Sequence, residues 1–379
     1  MGVDLKEIRL VDEHCHAVAP DAGEDAATWR RWLTESGDPR IQGEAVTTTV
    51  FYRRMVRDLA ELLGCGATEE EVLAARRALG PERALARLWA DAGIETALVD
   101  TGFPGPGRRT VAAADVTRLT GVGVRPILRL EPLMADLILA HPTLEAAAAA
   151  LRAVVAGARD QGYVGLKSVA AYRTGLDIQE PARATAVAAY SRLRTDGQTQ
   201  GSLRLADKAV LDALLLEALR EAARQGLPIQ FHTGYGDTDA DLRLANPLHL
   251  RWLLEQADLR DLPIVLLHEA YPFTREAAVL ASLYGNVYLD LSYGIPFLGA
   301  AEMAACTRAA LAVAPGSRLV YSSDGAILPE IHWASAKWGR RLIGAVLDNQ
   351  VASGEIDAAQ AAQTARAVLR DNAIRLYGL

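Results

Sequence analysis

Three cysteines (Cys15, Cys65 and Cys306) in 379 residues are too few and too scattered for a disulfide framework. There is no excess of positive charge either. Forty Lys and Arg stand against 47 Asp and Glu, a formal net charge of −7. No Lys/Arg stripe and no aromatic platform stands out, which argues against nucleic acid as a partner. Long apolar runs are missing too: the Ala-rich stretch around Ala146 to Ala158 is interrupted by Arg152 and falls short of a membrane span. The opening, Met1-Gly2-Val3-Asp4-Leu5-Lys6-Glu7, lacks the apolar core of a signal peptide. These absences lead us to expect a cytoplasmic protein that acts on a small molecule, with no membrane or nucleic-acid partner and with self-association left open.

What the chain does have is His14-Cys15-His16, at the end of the run Ile8-Arg9-Leu10-Val11-Asp12-Glu13. As a β-strand this run alternates with period 2, so Leu10, Asp12, His14 and His16 share one face. Two imidazoles one residue apart can both reach a single ion, and neutral imidazole is the commonest protein ligand for zinc. An H-x-H pair is a short pattern, however, and two unrelated histidines at a strand end would look the same. By the same alternation Cys15 faces away and reads as packing.

From 17 to about 80 several helical patterns follow, including Thr28 to Thr34, Thr49 to Leu63 and Glu69 to Leu79. This is far longer than an ordinary connection and reads as an inserted helical cap, in which Trp29, Trp32, Phe51 and Tyr52 line a pocket or pack the cap. Beyond Pro81, strands and helices alternate. Strand two is Glu95 to Asp100, and strand three is Val124 to Leu130, closed by Glu131-Pro132. An Ala-rich helix, 143–160, precedes strand four, Tyr163 to Ser168. A second insertion, about 171–205, holds a helix (Pro181 to Arg194) and a polar stretch (Thr195 to Ser202). Strands five to eight are Pro228 to His232, Pro263 to His268, Val287 to Leu291 and Arg318 to Ser323. Eight such units favour a (β/α)8 TIM barrel, α/β in class, over an open sheet. No Gly-x-Gly-x-x-Gly follows strand one, which argues against a dinucleotide fold. No linker divides the chain, so 1–379 reads as a single domain with two insertions.

In such barrels the carboxyl ends of the strands build the site. Here they carry His14 and His16 (strand one), Arg129 and Glu131 (strand three), Lys167 (strand four), His232 (strand five), His268 (strand six) and Asp324 (strand eight). Four of seven histidines fall at such ends. One alone would be a capping residue more often than a ligand; four, with an Asp, point to a site.

These residues resemble the amidohydrolase superfamily of metal-dependent barrel hydrolases. Gly165-Leu166-Lys167-Ser168-Val169-Ala170-Ala171-Tyr172-Arg173, Phe231-His232-Thr233-Gly234-Tyr235-Gly236-Asp237 and His268-Glu269-Ala270-Tyr271-Pro272-Phe273 are similar to the branch whose domain also occurs fused to glutamine-synthetase-like domains and which includes decarboxylases. The eighth-strand Gly-Ser-Asp common there reads Ser322-Ser323-Asp324 here. The resemblance implies that His14, His16, His232 and Asp324 bind a divalent metal, zinc first. It implies that His268 is a ligand in a two-metal site and a substrate-polarising group in a one-metal site. Lys167 would bridge two ions if carboxylated; one ion is the favoured expectation.

The chemistry also stands on the residue types. Three imidazoles and a carboxylate leave room on zinc for a water, whose pKa can fall to about 7. Asp324 could take that water's proton and pass it to a leaving group, Ser322 or Ser323 could hold its free oxygen, and His268 could steady a developing oxyanion. Arg129, Glu131, Lys167, Tyr172, Arg173 and Tyr235 are candidates for substrate contact; Asp237 and Tyr293 are weaker ones, and Glu330 reads as a helix N-terminal charge. The expected reaction is hydrolysis of an amide-type C–N bond, with a glutamate-derived or γ-glutamyl amide suggested by the resemblance. The rivals are a non-oxidative decarboxylase on the same metal and a catalytically silent barrel serving as a binding scaffold.

Overall fold

The computed structural model describes residues 5–105 and 107–379. Eight parallel strands form one sheet in chain order: β1 (Leu10–Cys15), β2 (Ile94–Asp100), β3 (Gly123–Arg129), β4 (Gly165–Ser168), β5 (Ile229–Phe231), β6 (Ile264–Leu266), β7 (Val287–Ser292) and β8 (Leu319–Ser322). With helices between the strands this is the expected (β/α)8 barrel. β5, β6 and β8 are short apolar runs buried along their length, as parallel strands covered on both faces must be, whereas β3 is mostly half-buried. Among the described residues no helix is long and apolar enough to cross a membrane.

The chain separates into two compact units, and the boundary cuts β3 and β7. The first comprises Met1–Arg125, Gly236–Thr238 and Asp290–Arg375. Its inserted helices start and stop where capping chemistry allows. Asp25 and Thr28 form a capping box before Ala26–Arg31. Thr49 caps Val50–Leu63, which ends at Gly64 with φ +73°, and Thr68 caps Glu69–Leu79, whose first turn carries three glutamates. The helix expected over Thr28 to Thr34 is shorter and starts earlier, and an extra turn, Pro39–Gly43, follows Asp38. Trp29, Phe51 and Tyr52 are buried packing residues; the Phe51 ring lies 5.0 Å from those of both Phe297 and Trp338. Pro329–Ala352, the longest helix, buries most of its residues in this unit.

The second unit comprises Pro126–Tyr235, Asp239–Leu289 and Leu376–Leu379. Its strands pair in register, with Leu166 beside Ile229 and Ile229 beside Ile264. Two helices differ from expectation. Leu130–Ala140 is helical where the sequence suggested only the end of strand three, closed by Glu131-Pro132. Pro132 stands in its first turn, where no N–H is required, and Leu130, Met134 and Ile138 recur at helical spacing on the buried side. The polar stretch after Arg194 continues the helix Arg183–Gln200. Thr195 and Thr199 donate their hydroxyls to the carbonyls of Ser191 and Thr195, both at 2.9 Å, which satisfies polar side chains inside a helix. Gly197 closes against Leu139 and Leu203, where a Cβ would crowd them.

Candidate metal centre

In the first unit, β1 delivers His14, and His16 stands one residue beyond the strand. β8 ends at Ser322, two residues before Asp324. The Asp324 N–H donates to the His14 carbonyl at 3.0 Å and the His16 N–H to the Gly325 carbonyl at 2.7 Å, so backbone bonds join the two segments. Asp12, buried on β1, accepts the Ser323 N–H at 2.7 Å and its hydroxyl at 2.5 Å, and the Gly325 N–H donates to the Ser323 hydroxyl oxygen at 2.8 Å. This clasp holds Asp324 at φ +46°, a left-handed conformation costly for a non-glycine residue. The Ser323 hydroxyl therefore serves Asp12, and the Ser322 hydroxyl is buried without a hydrogen-bond partner among the described residues.

The side chains converge. One oxygen of Asp324, Oδ1, lies 3.3 Å from His14 Nε2 and 3.3 Å from His16 Nε2. The imidazoles meet edge to face, 5.0 Å between centroids. A distance of 3.3 Å is long for a charge-assisted hydrogen bond. It matches the edge of about 3.4 Å between two donors around a tetrahedral ion with bonds of about 2.1 Å. Asp100, the last residue of β2, brings Oδ2 to 4.0 Å from His16 Nδ1, and His14, His16 and Asp100 form a group that could hold a metal. His16 Nδ1 is buried and has no hydrogen-bond partner among the described residues. The donor set thus fits a divalent cation.

Burial pushes the Asp12 carboxyl up to about 7 against the two Ser323 hydrogen bonds, with Glu13 and Asp324 adding to the rise. Glu35, in the inserted segment, is pushed up to about 8 by burial, then by Asp324 and Asp237. His332 is held down at about 4 by burial, although its ring nitrogens face the carbonyls of Leu328 and His16, each at 3.3 Å. Neither Asp100 nor Glu35 stood out in the sequence. Asp100 closes an apolar run as the histidines do, and that signal could have found it; nothing local marks Glu35.

In the second unit His232 follows β5 directly, and His268 stands two residues beyond β6. Their rings lie 4.4 Å apart, and the Tyr172 ring is 4.3 Å from that of His232. His268, Glu269 and Ala270 all have positive φ, a strained turn next to the imidazole. Gly234 faces this turn so closely that a Cβ would collide with the backbone of Ala270 and Tyr271. Lys167 is buried on β4. Glu131 accepts the Ser168 hydroxyl at 2.6 Å and the Val169 N–H at 2.9 Å, which ties it to the strand end; burial raises its carboxyl against those bonds. Arg129 ends β3, while Arg173 is half-buried, its guanidinium weakened by burial and by nearby Arg204. The Tyr235 ring stands 6.5 Å from that of Tyr271.

Cys15 packs as expected and Glu330 stands in the first turn of Pro329–Ala352, while Tyr293 lies in the core. Tyr293 is buried with its hydroxyl 2.8 Å from that of Thr307. Glu330 is buried against Arg76 in an ion pair. Cys15 is buried, its thiol pointing to the Leu98 carbonyl at 3.5 Å and raised well above its usual range by burial.

An amidohydrolase family model matches residues 11–379, and the chain belongs to that family of metal-dependent enzymes. It is 38% identical over 227 residues to Protein fluG of Emericella nidulans, a match that covers 58% of this chain but only 26% of that protein. Among solved structures it resembles a Lactobacillus casei ATCC 334 protein assigned as a metal-dependent hydrolase (28% identity, TM-score 0.87, covering 99% of this chain and 96% of that one). A uronate isomerase from Thermotoga maritima shares the fold at 15% identity (TM-score 0.68, covering 98% and 95%).

Proposed function

We propose that the protein hydrolyses an amide-type C–N bond with a metal-activated water. The observation that carries this reading is the single Asp324 oxygen standing 3.3 Å from two imidazole nitrogens, each placed by the end of β1. In this reading 1–379 acts as one domain, and His14, His16, His232 and Asp324 hold one divalent ion, zinc by preference, since imidazole and carboxylate donors suit it. When bound, the ion acidifies water and polarises a carbonyl. Asp324 accepts the proton of the attacking water and returns it to the leaving nitrogen, which would otherwise depart as a poor anion. His268 donates to the substrate oxygen as charge develops there. Tyr172, packed on His232, limits the ring's freedom. Lys167 remains an ammonium that meets an anionic part of the substrate, together with Arg129, Arg173 or Tyr235. A glutamate-derived or γ-glutamyl amide is the substrate class we favour, and the cytoplasm the compartment.

The test is a panel of acyl amides and γ-glutamyl amides, with matched carboxylated acids, given to zinc-loaded protein. Release of amine, lost on chelation and restored by zinc, is the expected result. Release of carbon dioxide without amine, or no turnover of any amide, would contradict the reading.

A further inference from the structure

The loop after β2 places a cation at a cavity of about 340 Å³ whose lining includes His16, Asp100, Phe103, Arg108, Val111 and Val116. Most of the remaining wall is aliphatic or small. Arg108 is the cation of this wall, and its Nε is buried without a hydrogen-bond partner among the described residues. The nearest carboxylate, that of exposed Asp21, reaches only 3.9 Å from one terminal nitrogen, at the outer limit of an ion pair. The guanidinium lies 4.9 Å from the centre of the Trp32 ring. A ring on its face and a solvent-reachable edge leave a guanidinium oriented for a planar anion, the geometry in which arginine exceeds lysine. Phe103 connects this end to the metal centre, its ring 6.5 Å from that of Trp32 and 5.1 Å from that of His16.

The charges give the cavity a polarity. Asp100 and His16 border one part, where a second carboxylate would meet Asp100; Arg108 borders another, where a carboxylate finds its counter-ion. Val18, Phe103, Val111 and Val116 add apolar contact to the wall, beside the polar groups of Thr101, Thr110 and Trp89. The Arg108 side chain is part exposed, so its terminal nitrogens are what a carboxylate in the cavity can meet.

We propose that this cavity is a substrate-recognition pocket for a carboxylate on an apolar stem, and that Arg108, backed by Trp32, is the specificity-determining residue that reads the carboxylate. The inference rests on the proposed amide hydrolysis for what reacts at the His16 end, but recognition of the acid is separable from turnover. Of two molecules alike in shape, one ending in carboxylate and the other in carboxamide, the pocket selects the acid.

Hexanoate and hexanamide, titrated into zinc-loaded protein by calorimetry with ligand-observed NMR for weak binding, test this directly. Wild type is expected to bind hexanoate and to discriminate against hexanamide. R108M should weaken hexanoate roughly 10- to 100-fold, the scale of hydrogen bonds to a charged group, while leaving hexanamide unchanged. R108K, which keeps the charge but loses the fork, should fall between them. Zinc content and melting temperature of each variant exclude metal loss or unfolding as the cause, and R108K keeps the test open if R108M is unstable. Hexanoate affinity equal in R108M and wild type, equal binding of acid and amide by wild type, or no binding of the acid would each overturn the proposal. An Arg108-dependent acid site in a protein that hydrolyses no amide would refute the hydrolase reading and leave the pocket standing.

Discussion

The two groups of strand-end imidazoles are built by different means. Those of β1 are fixed by main chain: Asp324 N–H on the His14 carbonyl, His16 N–H on the Gly325 carbonyl, and the Asp12 carboxylate gripping Ser323 twice. Those beyond β5 and β6 have main-chain bonds too, His232 N–H on the Ser168 carbonyl and Tyr271 N–H on the His268 carbonyl, but add ring contacts, His232 lying against Tyr172 and His268, and a strained three-residue turn starting at His268. In the proposed reading His14, His16 and His232 hold the ion, and His268, at the strained turn, meets the substrate oxygen.

Replacing Asp324 breaks this contrast most severely. Asp324→Asn preserves size and can coordinate through its carbonyl oxygen, but it cannot accept a proton. We expect kcat to fall by about 10³-fold or more, within the range of lost acid–base catalysis, with metal retained and the acidic limb of the pH profile gone. Near wild-type turnover would move the shuttle elsewhere, Glu131 first and Glu35 next.

His268→Asn sharpens the comparison from the other side. It should keep about one ion per chain and lose roughly 10²- to 10³-fold in kcat, the usual scale for one oxyanion donor. Metal lost in proportion to activity would instead make His268 a ligand and favour two ions, with Lys167 carboxylated between them.

Asp12→Asn tests whether the clasp positions Asp324. The amide oxygen can still accept the Ser323 N–H, but the amide NH2 cannot accept its hydroxyl. Leaving that group unmatched should cost about 1–3 kcal/mol of stability and roughly tenfold in kcat, with KM nearly unchanged, while Asp12→Ala should lose more. Read by denaturant unfolding beside steady-state kinetics, unchanged values in both would remove Asp12 from the account.

How much of this could be read in the sequence follows from how local each feature is. The eight strands and the His14-x-His16 pair are marked by their own neighbours, apolar runs that end in a strongly polar residue. Asp100 ends such a run too, but its place beside His16 depends on register: Cys15 pairs with Val99, and a one-residue slip would turn Asp100 away. Glu35 sits in a long insertion with no periodic signal, and its role depends on where that segment folds. Ser323 offered a hydroxyl next to Asp324, but the buried Asp12 carboxylate, 311 positions away in sequence, claims it. The helix Leu130–Ala140 was hidden by Pro132, which reads as a breaker unless its place in the first turn is known.

The smallest effect on turnover belongs to His332, which tests stability alone. Free imidazole takes its proton near 6.5, whereas burial keeps folded His332 neutral to about 4. The unfolded chain therefore binds the extra proton between those values, so folding stability is intact above pH 6.5 and declines as pH falls toward 4, by about 3 kcal/mol at most. His332→Gln should flatten that part of the pH–stability curve measured by denaturant titration; an unchanged slope would assign the acid sensitivity to other groups.

The central claim is that one divalent ion is held by His14, His16, His232 and Asp324. Elemental analysis of purified wild type, His14→Ala and His232→Ala, after equal exposure to zinc and gel filtration, tests it most directly. The account predicts about one ion per wild-type chain and well under a tenth of that in either variant, both still folded by circular dichroism. Full occupancy in either variant would remove that histidine from the site, and a wild-type protein that holds no metal would contradict the account altogether.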